Sequence, residues 1–104
     1  MNTLLKTLLL SLTLALSANA ADHIIDQKGK TFVPSSITVK VGDTITFKNS
    51  DAFAHNAYTD DEANEFDTGM QSSSTNKTVT VKEAGTFSIE CAIHPNMLLE
   101  VTAE

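Results

Sequence analysis

The chain predicts an all-β fold, a Greek-key β-sandwich behind an N-terminal signal peptide, and three observations carry that prediction. Apolar and polar residues alternate with a period of two in several short runs rich in β-branched side chains. Turn formers separate those runs at short, regular intervals, which is the pattern of a sandwich rather than of a parallel sheet with helices. No stretch carries the apolar period of an amphipathic helix, and there is no internal repeat or linker.

The elements follow in order. Residues 1–20 combine a short basic start ending at Lys6, an apolar run from Leu8 to Leu16 too short to span a bilayer, and the small-x-small site Ala18-Asn19-Ala20. They read as a signal peptide cleaved after Ala20, leaving one domain over 21–104. No cysteine follows the apolar run, so no lipid anchor is expected, and the domain is expected to be soluble, monomeric and periplasmic. A first strand is expected at His23-Ile24-Ile25. Further strands are expected at Ile37 to Val41, Thr44 to Phe47, Val79 to Val81 and Phe87 to Ile89, with a last one carrying Leu99, Val101 and Ala103. Gly29, Pro34, Gly42-Asp43, Asn49-Ser50-Asp51 and Ala84-Gly85 punctuate them. Tyr58 to Thr75 is the least strand-like part and is expected to be an exposed excursion with a short turn of helix.

Charge and size narrow the function. Thirteen acidic residues stand against seven basic ones, and with Lys6 removed in the leader the domain is more acidic still. Such a surface disfavours nucleic acid and anionic membranes and favours a basic protein partner. A domain this small buries only about 60% of its unfolded surface. With one cysteine it has no internal disulfide to reinforce it, so a bound metal is the natural alternative.

That cysteine, Cys91, lies in Cys-Ala-Ile-His-Pro-Asn-Met with His94 and Met97. A thiolate, an imidazole and a thioether are the donors that suit copper in both oxidation states. His55, upstream in Phe-Ala-His-Asn, supplies the second imidazole. Taken singly, the cysteine reads as a small buried hydrophobe, Met97 as core and His94 as surface. Three such donors in one loop, with the only thiol of an exported chain left unpaired, read together as a ligand set. Parity points Cys91 inward with Phe87 and Ile89, and places His94 and Met97 on a loop turning into the last strand.

From Phe32 onward the chain resembles the cupredoxins, the plastocyanin and amicyanin family of small type 1 blue-copper proteins. The resemblance rests on Phe32-x-Pro34, Ile37-x-Val39, Gly42-Asp43-Thr44-Ile45-x-Phe47-x-Asn49, His55-Asn56 and Cys91-x-x-His94-x-x-Met97. The short ligand loop and Pro95 are most similar to amicyanin. The resemblance implies one type 1 copper ion, cycling Cu(II)/Cu(I), with His55, Cys91 and His94 as equatorial ligands and Met97 as a weak axial ligand. It also implies that Asn56 ties the His55 loop to the backbone beside Cys91, and that His94 passes electrons through an apolar patch here formed by Ile93, Pro95 and Leu98. Two departures stand out. Glu90 replaces the aromatic that plastocyanins carry before the cysteine, and Ala92-Ile93 replaces amicyanin's proline, implying a looser loop.

The expected role is that of an exported one-electron carrier between redox proteins, its partner a basic cytochrome or dehydrogenase; the alternative is a periplasmic copper-tolerance protein using the same site. With four ligands there is no open position for substrate, so no enzyme is expected. The acidic residues Asp60, Asp61, Glu62, Glu65 and Asp67 form either a solvated loop or a docking patch. Ala21-Asp22-His23 either opens the first strand or, with its freed amine, chelates a second Cu(II).

Overall fold

The computed structural model describes residues 20–104. The expected signal peptide, apart from Ala20, lies outside the described residues. The described chain holds nine strands: β1 (Asp22–Gln27), β2 (Phe32–Val33), β3 (Ser36–Val39), β4 (Thr44–Asn49), β5 (Tyr58–Thr59), β6 (Phe66–Asp67), β7 (Asn76–Thr80), β8 (Gly85–Cys91) and β9 (His94–Ala103). They form two sheets, ordered β2-β1-β4-β7 and β3-β9-β8-β5-β6. Each sheet contains one parallel pair, β1 with β4 and β3 with β9.

Alternation decides which side chains meet between the sheets. Ile45 and Phe47 of β4, Phe87, Ile89 and Cys91 of β8, and Met97, Leu99 and Val101 of β9 are all buried, while the residues between them are more exposed. Phe47 sits at the centre, with the Phe32 and Phe66 rings 6.1 and 6.0 Å away. β7 is an edge strand with only Val79 half-buried, and Lys77 on it discourages pairing with another chain. Among the described residues no helix is long and apolar enough to cross a membrane.

Two expectations need correction. The excursion after Tyr58 has no helical turn; it contains β5 and β6, paired with each other, and β5 also bonds β8 through Tyr58 and Glu90. Two-residue strands are too short to show a period, and tertiary partners hold this region instead. Phe66 packs on Phe47. Buried Asn64 accepts from the Lys82 and Glu83 amides at 2.9 and 3.1 Å and donates to the Glu83 carbonyl at 3.1 Å. The second correction concerns the ligand run. His94 and Met97 lie on β9 itself, and Cys91 pairs directly with His94 across a two-residue turn, Ala92-Ile93.

Candidate metal centre

The β8–β9 hairpin presents Cys91 and His94 on either side of its turn, with a break in regular register at Glu90/Cys91. Met97 heads the inward row of β9 and is fully buried. His55 arrives on the segment after β4, where its backbone forms an isolated bridge to Gln71, with N···O distances of 3.1 and 2.7 Å. Gln71 is itself buried and pinned. Its amide donates to the Phe47 and Thr75 carbonyls at 2.7 and 2.6 Å and accepts from Gln27 at 3.0 Å, while Asn49 donates to its carbonyl at 2.9 Å. Backbone and side-chain bonds together fix where the His55 ring points.

Three donor atoms converge. His55 Nδ1 lies 3.1 Å from His94 Nδ1, and Cys91 Sγ lies 3.9 and 3.7 Å from those two nitrogens. The point equidistant from all three is about 2.1 Å from each, close to metal–nitrogen and metal–sulfur bond lengths. These residues form the one metal-capable cluster of histidine, cysteine and acidic side chains found among the described residues.

Protonation follows from the second ring nitrogen. His55 Nε2 lies 2.7 Å from Asp51 Oδ2, an atom that only accepts when ionised, so Nε2 carries the proton and Nδ1 keeps its lone pair. Burial raises the Asp51 pKa, but the bonds from His55 and from the Lys30 and Gly29 amides outweigh it and hold the carboxyl below its ordinary value. Burial, then His55 and Lys30, push His94 below the ordinary imidazole value, leaving its ring neutral. The three atoms face a common point that a cation can occupy. Two imidazoles and a thiol in a trigonal array, with a thioether on the adjoining strand, fit copper.

Asn56 is where the resemblance implied. Its side-chain oxygen accepts from the Ala92 amide at 2.8 Å, and its backbone N–H points at Cys91 Sγ at 3.5 Å. Ile93, Leu98 and Pro95 are exposed, and Ile93 and Pro95 line one cleft with His94. Sequence reasoning missed Phe53, whose ring lies 5.2 Å from His55 and 5.5 Å from His94 and is 43% exposed. It missed Asp51 and Gln71 as well, since only the assembled loops bring them to His55.

The acidic residues are not in the metal cluster. Asp60, Glu62, Glu65 and Asp67 are exposed, with Asp61 half-buried. Tyr58, given no role from sequence, stands among them: Glu90 first, then burial and Asp60, raise its pKa above the ordinary phenol value. Glu90, directly before Cys91, thereby joins the same acidic face. Ala21-Asp22-His23 is occupied elsewhere. His23 Nε2 lies 2.8 Å from Asp43 Oδ2, and Ala21 N donates to Asp43 Oδ1 at 2.9 Å.

A two-sheet sandwich with a largely buried Cys-His-His triangle, its His94 corner half-exposed, defines the class of small copper-site β proteins. The chain belongs to the copper binding proteins of the plastocyanin/azurin family, whose model matches residues 20–104. It is 32% identical over 106 residues to the methylamine utilization protein MauL of Methylorubrum extorquens, covering 96% of this chain and 93% of that one. It is 36% identical over 76 residues to the chloroplastic plastocyanin of Fritillaria agrestis, covering 61% of this chain but only 45% of the plastocyanin's length. A Cu(I) amicyanin variant superposes with a TM-score of 0.74 at 27% identity, covering 85% of this chain and 89% of the amicyanin. The cofactor is one type 1 copper ion. The family consists of electron carriers, not enzymes.

Proposed function

We propose that this protein is an exported one-electron carrier in which His55, Cys91, His94 and Met97 would hold the copper ion. The carrying observation is the donor triangle, three atoms 3.1 to 3.9 Å apart with their ring and backbone partners already in place. Copper, when bound, supplies the one-electron couple. The chain's own residues keep the site the same shape in both states: Asp51 holds His55, Asn56 holds the Ala92 turn, and β8–β9 holds Cys91 and His94. Little rearrangement is then needed when an electron arrives or leaves.

Electrons would pass through the His94 edge, where Phe53, Ile93 and Pro95 offer an apolar collar with Lys30 at its rim, 5.5 Å above the Phe53 ring. The acidic face around Tyr58, with Asp60, Asp61, Glu62, Glu65, Asp67 and Glu90, would steer a basic redox protein toward it. That partner would be a redox protein of the cytochrome or dehydrogenase class, and the likeness to a methylamine utilization protein is in keeping with a place in a redox chain. Residues 1–20 serve as the signal peptide and 21–104 as the single, monomeric periplasmic domain. A second cupric site at Ala21-Asp22-His23 would favour the copper-tolerance alternative, but both end groups of that chelate are held by Asp43. Mixing the Cu(II) protein with a reduced basic c-type cytochrome in a stopped-flow instrument tests the proposal. Rapid oxidation of the cytochrome, slowed by salt, is expected. A copper-loaded protein that exchanges no electrons with cytochrome or dehydrogenase would contradict the carrier reading.

A further inference from the structure

Asp43 lies in the turn between β3 and β4, bonded to the end of β9 far from His94. Its backbone amide donates to the Lys40 carbonyl, and the adjacent Val41 amide to the Glu104 carbonyl. The side chain belongs to a residue only 4% exposed, yet it carries three donors. Oδ1 accepts from Ala21 N at 2.9 Å, while Oδ2 takes the Lys40 amide at 2.9 Å and lies 2.8 Å from His23 Nε2. An ionised carboxylate this enclosed needs a compensating positive charge. The cleft beside it, lined by Ala21, His23, Lys40 and Glu104, holds one lysine and one further acidic residue, and neither makes a side-chain bond to Asp43. Two of Asp43's three donors are neutral backbone amides.

One of those amides changes character on processing. Cleavage after Ala20 adds water across the Ala20–Ala21 peptide bond. Ala20 leaves with the new carboxylate, and Ala21 N becomes an α-amine that takes a proton at neutral pH. We infer that Asp43 is the receptor for the α-ammonium created at Ala21, so that removal of the leader completes a partly buried ion pair and locks β1 onto β4. The inference rests on the cleavage reading for Ala18-Asn19-Ala20 and is independent of the copper ligands. The nitrogen is already at bonding distance, so processing alters charge with little movement, and a charge-assisted bond replaces a neutral one. The same contact opposes cupric chelation at the terminus: Asp43 holds the amine and imidazole that a chelate requires, and His23 also pairs with Ile45 of β4.

The test uses the processed chain, with its first residue established by mass spectrometry. Titrating the Ala21 methyl signal by NMR in the wild type and in Asp43→Asn reads the α-amine directly. An ordinary α-amine titrates near pH 8. The wild-type amine should be at least tenfold harder to deprotonate than that of the variant. Added Cu(II), with the main site full, should bind the terminus more tightly in Asp43→Asn than in the wild type. Should the variant fail to fold, a wild-type chain extended by one glycine before Ala21 replaces it, and its thermal midpoint should fall below that of the processed protein. Equal amine titrations, or equal midpoints for processed and extended chains, overturn the anchor. A mature protein beginning at another residue overturns the cleavage reading beneath it.

Discussion

Asp51 stands four residues before His55, and its carboxylate determines which ring nitrogen faces the metal. With Nε2 bonded to Oδ2 at 2.7 Å, Nδ1 is the free donor, and the two amides at Gly29 and Lys30 keep the carboxylate from swinging away. Outer-shell carboxylates of this kind are worth about 10–100-fold in metal affinity. Asp51→Asn should therefore weaken copper binding by about that factor, measured by competition with a chelator, with strand content unchanged by circular dichroism. At this scale the sequence was legible in part. Donor chemistry singled out His55, Cys91, His94 and Met97, the first three of which the fold brings together, and Asn56 came through resemblance. From sequence Asp51 is only a turn residue and nothing marks Gln71, because the contacts that give them a role form between segments far apart in the chain. Phe53 showed no period that would distinguish it from any exposed aromatic.

At the scale of elements, legibility followed strand length. β4, β8 and β9 bury one face over six to ten residues, so their alternation appears in the sequence. β5 and β6 span two residues each, and nothing local marks them. Nor does alternation say whether neighbours run parallel, as β1 and β4 do. Asn64 shows what replaces periodicity, since one buried side chain ties the acidic excursion to the turn before β8. Asn64→Ala removes all three of its contacts to Lys82 and Glu83 and should cost about 1–3 kcal/mol, read by urea unfolding. Asp43 ties β1 to the β3–β4 turn. The Ala21 amide, then His23 and the Lys40 amide, lower its pKa from 3.8 to about 2. A depressed carboxylate contributes stability that is fully present above its unfolded pKa and is lost as pH falls through the folded one. The wild type should accordingly lose stability between about pH 4 and pH 2, and Asp43→Asn should show a flatter acid limb in the same window.

For the molecule as a whole, the two ends of the sandwich are distinct: one holds the donor triangle and its apolar collar, the other the Asp43 turn. The acidic face lies beside β8 on the edge made by β5 and β6, one residue from Cys91 through Glu90. Combined Asp60→Asn, Asp61→Asn and Glu62→Gln substitutions should slow association with a basic redox partner several-fold at low salt and reduce the dependence of the rate on ionic strength. An unchanged rate and slope would leave these residues as a solvated loop. Copper binding to the folded state alone should also raise the thermal midpoint, by the equivalent of about 2.7 kcal/mol when free copper reaches a hundred times the dissociation constant.

The whole account depends on one sulfur atom bonding copper within a triangle that two imidazoles complete. The absorption spectrum of the purified protein loaded with Cu(II) reads that bond. An intense visible thiolate-to-copper charge-transfer band, present in the wild type and gone in Cys91→Ser, is the predicted result. A colourless wild type, or a band that survives the loss of the sulfur, would contradict it.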